Sequence, residues 1–268
     1  MIDVGIIGGS GLSKLDGLTN IQEIEVDTPY GKPSDKILTG ELAGVKIGFL
    51  PRHGKKHFFT PAQVPYRANI YALKKLGARI VLAFSAVGSL TEKMPPTTLV
   101  FPDQLIDKTT SRPSTFFGNG FVGHVPFGDP FCKCIQAELA KHAKKLKIPY
   151  VKNATLIAME GPAYSTKAES NFHRKMGWHL IGMTACPETK LAREAGLAFG
   201  ICAMVTDYDC WKADEEAVSH TQVLKTMKIN EVYAKQLLTD VLTDLVKLKR
   251  CGACNKTLRD TFSDEQIK

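Results

Sequence analysis

The chain has 268 residues, 44% hydrophobic and 23% charged, enough for a sizeable core in one large or two small domains. Its formal charge of +8 favours phosphate-bearing or acidic ligands, but the basic residues are scattered, many along helical stretches (Lys141, Lys144, Lys145, Lys147). That pattern reads as a solvated face and not as a nucleic-acid stripe, and no apolar run reaches the ~20 residues of a membrane span.

In chain order, residues 2–7 form an apolar strand that opens onto Gly8-Gly9-Ser10-Gly11. Glycines let backbone N–H groups approach an oxyanion, so the turn is a candidate anion cradle. Neither the G-x-G-x-x-G spacing nor a Walker lysine is present. A second strand, 45–50, ends at Arg52-His53, where the Arg fork suits an anion. Residues 65–75 have helical spacing and stop at Gly77, with Arg67 and Asn69 expected as surface or capping residues. A third strand, 79–84, ends at Ser85-Ala86. Three strand ends of one kind predict a single mouth lined by Ser10, Arg52, His53 and Ser85.

Residues 99–107 predict a fourth strand running into a polar loop. The turn-rich stretch 108–130 contains His124 and is long for a structureless connection, which points to a functional or interfacial role. A helix over 132–147, a strand over 154–159 and a helix over 168–176 follow, then Gly182-Met183-Thr184 and a helix over 187–195. The buried strand 200–205 runs directly into Asp207 and Asp209, spaced to face one side of an extended backbone. Acids at the C-terminal edge of a buried strand sit where open α/β sheets place ligands, and Tyr208 and Trp211 add aromatic walls. A capping role for a single strand-end acid is the alternative. A long helix over 221–249 keeps apolar residues on one face.

Strands alternating with helices, with no repeat and no linker, predict one α/β domain over 1–250, followed by a tail, 251–268. The seven cysteines are an odd count, and the chain enters a strand at once, so the expected compartment is reducing and cytoplasmic, the nucleus also being open in a eukaryote. Cys251 and Cys254 form the only CxxC, without a second pair to complete a zinc site, and read as a tail turn.

Six motifs occur together in this order: Gly-Gly-Ser-Gly at 8–11, Arg-His-Gly at 52–54, Ser-Ala-Val-Gly-Ser-Leu at 85–90, Glu-Gly-Pro-x-Tyr-Ser at 160–165, Gly-Met-Thr at 182–184 and Thr-Asp-Tyr-Asp-Cys-Trp at 206–211. With them the chain resembles the trimeric purine nucleoside phosphorylases, and within these the 5′-methylthioadenosine branch, over roughly residues 2 to 248. The resemblance implies a single domain with a central, mostly buried, twisted mixed β-sheet flanked by helices. It also implies a homotrimer that uses a nucleoside and inorganic phosphate, with no metal and no organic cofactor.

Carried over residue by residue, the resemblance puts phosphate against Ser10, Arg52, His53, Ser85, Ala86 and Thr184. The nucleoside falls against Tyr164, Ser165, Met183, Asp207, Asp209, His220 and Val223, with His124 lent by a neighbouring subunit. Asp207 takes the catalytic part, holding or delivering the proton at N7 of the purine. Ser165 and Asp207 stand where 6-oxopurine enzymes carry Glu and Asn, which implies adenine selectivity. Ala163 and Gly182 depart from the methylthioadenosine branch. His220 stands where that branch has an apolar residue and where the 6-oxopurine branch has a His near a 5′-hydroxyl. A broader enzyme accepting adenosine, and a non-catalytic nucleoside-binding protein, are the alternatives.

Overall fold

The computed structural model describes residues 1–9, 12, 15–118, 120, 122–212 and 220–248, without the side chains of 220–223. Eleven strands form one mixed sheet among the described residues. Strand β1 (Val4–Gly8) lies parallel between β4 (Val45–Pro51) and β5 (Ile80–Ser89), with Ile7 opposite both Leu50 and Ala83. Outside β4 come β3 (Ile37–Leu42) and the solvent-facing edge β2 (Thr19–Ile24).

Strand β5 is the hub. It pairs with β1 over its first half and, on its other edge, with β11 (Ala198–Asp207), parallel from Ile80 to Gly88. At its far end it meets β10 (Leu180–Gly182), antiparallel at Gly88 and Ser89. On the β1 side, residues 84–87 fall between the last rung to β1 at Ala83 and the first to β10 at Gly88. Backbone groups in such a gap must find other partners. Beyond β10 follow β9 (Thr155–Met159) and β7 (Gln104–Lys108), while β11 continues to β6 (Leu99–Phe101) and β8 (Tyr150–Lys152).

Helices cover both faces. On one side α1 (Tyr66–Lys75) and α4 (Ala185–Glu194) bury Ile70, Leu73, Leu191 and Ala192 against Ile7, Val81 and Ile201. On the other, α2 (Lys133–Lys145) and α5 (His220–Lys247) pack on Ile6, Leu82 and Met204. The apolar positions Ala234, Leu237, Leu238, Val241, Leu242 and Leu245 of α5 are all fully buried, the one-sided stripe expected from the spacing. The fifth helix, α3 (Lys167–Lys175), opens on a capping box between Thr166 and Glu169.

Several sequence readings need correction. Ser85 and Ala86 do not follow a strand: pairing with β11 carries β5 to Gly88, and β10 extends it to Ser89. The fourth strand is two, β6 and β7, broken at Pro102, which cannot donate to a ladder. Strands β2, β3, β8 and β10 are not among those expected from the sequence. Asn69 is no surface residue: it is fully buried, and its Oδ1 accepts the Ser34 N–H at 2.8 Å. Among the described residues no helix is long and apolar enough to cross a membrane. Cys251 and Cys254 lie outside the described residues.

Candidate active site

The gap in the ladder of β5 opens into a cavity of about 300 Å³, lined by residues from β4, β5, β9, β10, β11 and α5 and the turns that follow them. One end is built for an anion. Arg52, 3% exposed, follows β4 and turns inward, donating from Nη1 to the Phe84 carbonyl at 2.9 Å, one of the backbone groups left open by the gap. Nε and Nη2 donate to the two carboxylate oxygens of Glu188 at 2.5 and 3.0 Å. Burial works against the guanidinium charge, but fully buried Glu188 outweighs it, so Arg52 stays charged.

His53, also on the cavity wall, has Nδ1 2.8 Å from the Phe59 carbonyl and stacks on His57 with ring centroids 4.4 Å apart. Burial, and then the charge of Arg52, lower its pKa to about 4, so the ring is neutral near neutral pH. The hydroxyls of Ser85 and Thr184 lie 3.1 Å apart, one donating to the other, and Ala86 lines the wall beside them. Arg52, His53 and Ser85 thus line one cavity, joined by Ala86 and Thr184, which the family resemblance had added, whereas Ser10 lies outside the described residues.

The opposite end is acidic. Asp207 ends β11, where a bulge between Val205 and Asp207 breaks the register with β5. Its Oδ2 accepts from the Thr206 hydroxyl at 2.7 Å and its Oδ1 from the Asp209 N–H at 2.8 Å. Asp209 has φ +53°, so a turn, and not the alternation of an extended strand, brings both acids to the cavity. The buried Oδ2 of Asp209 has no hydrogen-bond donor among the described residues. A Cβ on Gly88 would lie 2.9 Å from Asp207 Oδ1, so a side chain there would press on that carboxylate. Trp211 fixes the turn from outside: its Nε1 donates to the Ser89 carbonyl at 2.8 Å, and the Arg174 guanidinium lies 3.6 Å from its ring centroid.

The wall also includes Met183 and the half-exposed Tyr164. Met183 approaches Gly161 so closely that a Cβ there would meet its sulfur at 2.5 Å. Ser165 is not on the cavity wall; its hydroxyl donates to Met159 Sδ at 3.9 Å. His124 is exposed in the 109–131 connection and away from the cavity of its own chain. The side chains of His220 and Val223 lie outside the described ones, although Met227, on the same helix, reaches the wall.

Sequence reasoning missed Glu188, Arg112 and three of the lining methionines. Glu188 clamps Arg52, and its one local signal is an acid set three and four residues before the buried Leu191 and Ala192, on the helix face that packs inward. Arg112, 7% exposed, donates to the carbonyls of Met183 (2.6 Å), Cys186 (2.7 Å) and Glu160 (2.6 Å), fastening the 183–186 stretch, which includes Met183 of the cavity wall, to the end of β9. Met159, Met204 and Met227 join Met183 in a thioether-rich lining.

Among the described residues, one group with the make-up of a metal site, Glu138, His142 and Asp244, lies between α2 and α5 and not in the cavity. The ammonium of Lys141 bridges both of its carboxylates, at 2.9 and 3.4 Å.

Residues 3–243 match the sequence profile described as "Phosphorylase superfamily". The chain belongs to this superfamily. Among curated superfamily members, it is 45% identical to the S-methyl-5′-thioadenosine phosphorylase of Geobacter sulfurreducens over 257 residues, covering 96% of this chain and 90% of the relative. It is 46% identical to the enzyme of the same name from Yarrowia lipolytica, over 92% of this chain and 80% of the relative. The fold superposes on a methylthioadenosine phosphorylase from an antarctic soil metagenomic library with a TM-score of 0.93 at 43% identity, covering 99% and 96% of the two chains. The methylthioadenosine phosphorylase of Schistosoma mansoni, solved with adenine, gives a TM-score of 0.87 at 36% identity, covering 95% of this chain and 96% of that one.

Proposed function

We infer that the protein cleaves the N-glycosidic bond of S-methyl-5′-thioadenosine with inorganic phosphate, giving adenine and 5-methylthioribose 1-phosphate. The observation that carries this reading is a single cavity with Arg52, His53, Ser85 and Thr184 at one end and Asp207 and Asp209 at the other. Relatives named for this activity, 45 and 46% identical to the chain, support it. The four methionines of the lining suit a methylthio group, because thioethers are soft and adaptable contacts. A structure of a protein named adenosine/methylthioadenosine phosphorylase, 37% identical, keeps adenosine as a second candidate substrate.

In the proposed reaction, Arg52, His53, Ser85, Ala86 and Thr184, with Ser10, hold phosphate beneath the sugar. Positive charge grows on the ring as the bond to the purine lengthens, and phosphate stabilises it before attacking with inversion. Asp207 holds the proton at N7 while the base leaves. With monohydrogen phosphate the protons balance: the one on phosphate is matched by the one the free purine gains. Met183 and Tyr164 flank the sugar, and Asp209 Oδ2 is an acceptor suited to the 6-amino group. Ser165 contributes by leaving room where a 6-oxopurine enzyme needs an acid, and His220 and Val223 border the 5′ end.

The same reading makes the enzyme a homotrimer whose neighbour lends His124, cytoplasmic and independent of metal or organic cofactor, with residues 1–250 as the catalytic domain and 251–268 as an appended tail. Methylthioadenosine, adenosine and inosine, each incubated with and without phosphate and assayed for free base, test the assignment. Release of adenine from methylthioadenosine only in the presence of phosphate is expected; release of no base from any of the three refutes it.

A further inference from the structure

The anion end of the cavity carries little net charge. Arg52 is the cation there, and the fully buried carboxylate of Glu188 cancels it through two hydrogen bonds. Of its five N–H groups, one on Nε and one on Nη2 go to Glu188, and one on Nη1 goes to the Phe84 carbonyl. One N–H on each of Nη1 and Nη2 is left to donate. Ser85 and Thr184 add hydroxyls that donate or accept.

The fourth member of the set, His53, behaves differently. The Phe59 carbonyl beside Nδ1 is only an acceptor, so Nδ1 carries the ring proton. The groups facing the ring do not favour a second one: Arg52 follows the same strand, Arg112 comes from the 109–131 connection, and the stacked His57 is an imidazole. No carboxylate pairs with His53 among the described residues. With Nδ1 turned to the chain, Nε2 is the nitrogen left for the cavity, and it presents a bare lone pair. An unprotonated anion oxygen placed against it meets repulsion between two acceptors.

We propose that His53 makes this site selective for a protonated tetrahedral oxyanion, its Nε2 accepting a hydrogen bond from the P–OH of phosphate while Arg52, Ser85 and Thr184 serve the bare oxygens. The inference rests on the phosphorolysis reading and adds to it the form in which phosphate is recognised. Phosphate and arsenate both carry at least one proton near neutral pH. Sulfate has the same shape and the charge of monohydrogen phosphate but carries none, so it leaves Nε2 unpaired.

The test compares binding of phosphate, arsenate and sulfate to the full-length protein by calorimetry at neutral pH, for wild type and for His53→Gln. The Gln amide presents a donor where Nε2 presents an acceptor. In wild type, phosphate and arsenate are expected to bind alike and sulfate at least about tenfold more weakly, a 1.4 kcal/mol difference. In His53→Gln the preference is expected to shrink by about tenfold or to reverse. Sulfate binding to wild type as tightly as phosphate overturns the proposal, and so does a ratio unchanged in His53→Gln. Should that variant fail to fold, the wild-type comparison with arsenate decides alone. These readouts do not depend on turnover, so failure of base release in the nucleoside assay counts against the phosphorolysis reading and not against the selectivity of the site.

Discussion

Glu188 grips Arg52 with both carboxylate oxygens, and both side chains are buried. The pair spans 136 residues and ties the end of β4 to helix α4 beneath the cavity. Removing one partner of such a pair strands the other charge, at a cost of about 3–5 kcal/mol. Glu188→Ala is therefore expected to lose stability of that order in urea denaturation. Arg52→Ala is expected to share the loss and also to raise the KM for phosphate roughly tenfold to a hundredfold while nucleoside binding changes little. A stable Glu188→Ala protein removes the clamp; an unchanged phosphate dependence in Arg52→Ala removes the anion site.

Base selectivity is expected to follow Asp207. A 6-oxopurine presents its carbonyl to the acidic end, acceptor against acceptor, and a mispaired buried polar group costs about 1–3 kcal/mol, more when charged. The specificity constant for 6-aminopurine nucleosides should exceed that for inosine by about a hundredfold or more. Asp207→Asn should narrow the gap from both sides, since an amide donates to O6 but is a poor acid at N7. Steady-state kinetics on both substrates check this, and equal wild-type cleavage of inosine counts against it.

The exposed His124 and the long 109–131 connection carry the prediction of assembly. Light scattering on the purified protein should report three chains of 29.4 kDa each. His124→Ala should lower nucleoside turnover without changing that mass. A fully active species of one chain mass contradicts the trimer.

The pH dependence of stability has a definite sign at His53. Folding lowers its pKa from 6.5 to about 4, so between these values the unfolded chain binds a proton that the folded one refuses. Its contribution is intact above pH 6.5 and is lost as the pH falls toward 4. Urea midpoints measured through that window should fall on acidification, and less steeply in His53→Gln. Equal slopes in the two proteins would show that the ring titrates normally.

What the sequence disclosed depended on how far apart the interacting residues lie. Arg52 and Asp207, each at the end of an apolar run, and Ser85, just past one in the sequence, are local signals, and all three line one cavity. Glu188 and Arg112 find their main partners between 46 and 136 residues away, so nothing adjacent to them announces a role. Strand β2 is almost wholly exposed and polar, which hides it from a hydrophobic pattern. Ser85, Ala86 and Gly88 look like loop residues, yet β11 holds them in a strand, tertiary pairing overriding composition. The parts given to Ser165, His124 and His220 came only from resemblance to a family, and the cavity wall includes neither Ser165 nor His124.

Arg112 sets the spacing of two segments beside the cavity. Carbonyls of Glu160, after β9, and of Met183 and Cys186, at the start of α4, converge on one rigid, planar group, so the separation of the two segments is fixed by the size of a guanidinium. A lysine keeps the charge but concentrates its three donors on one atom, and cannot hold the segments at the same separation. Arg112 also leaves the 109–131 connection to reach them, which makes that surface segment and Met183 of the cavity wall parts of one mechanical unit. Any protein surface that docks on the segment therefore bears on the calibre of the pocket.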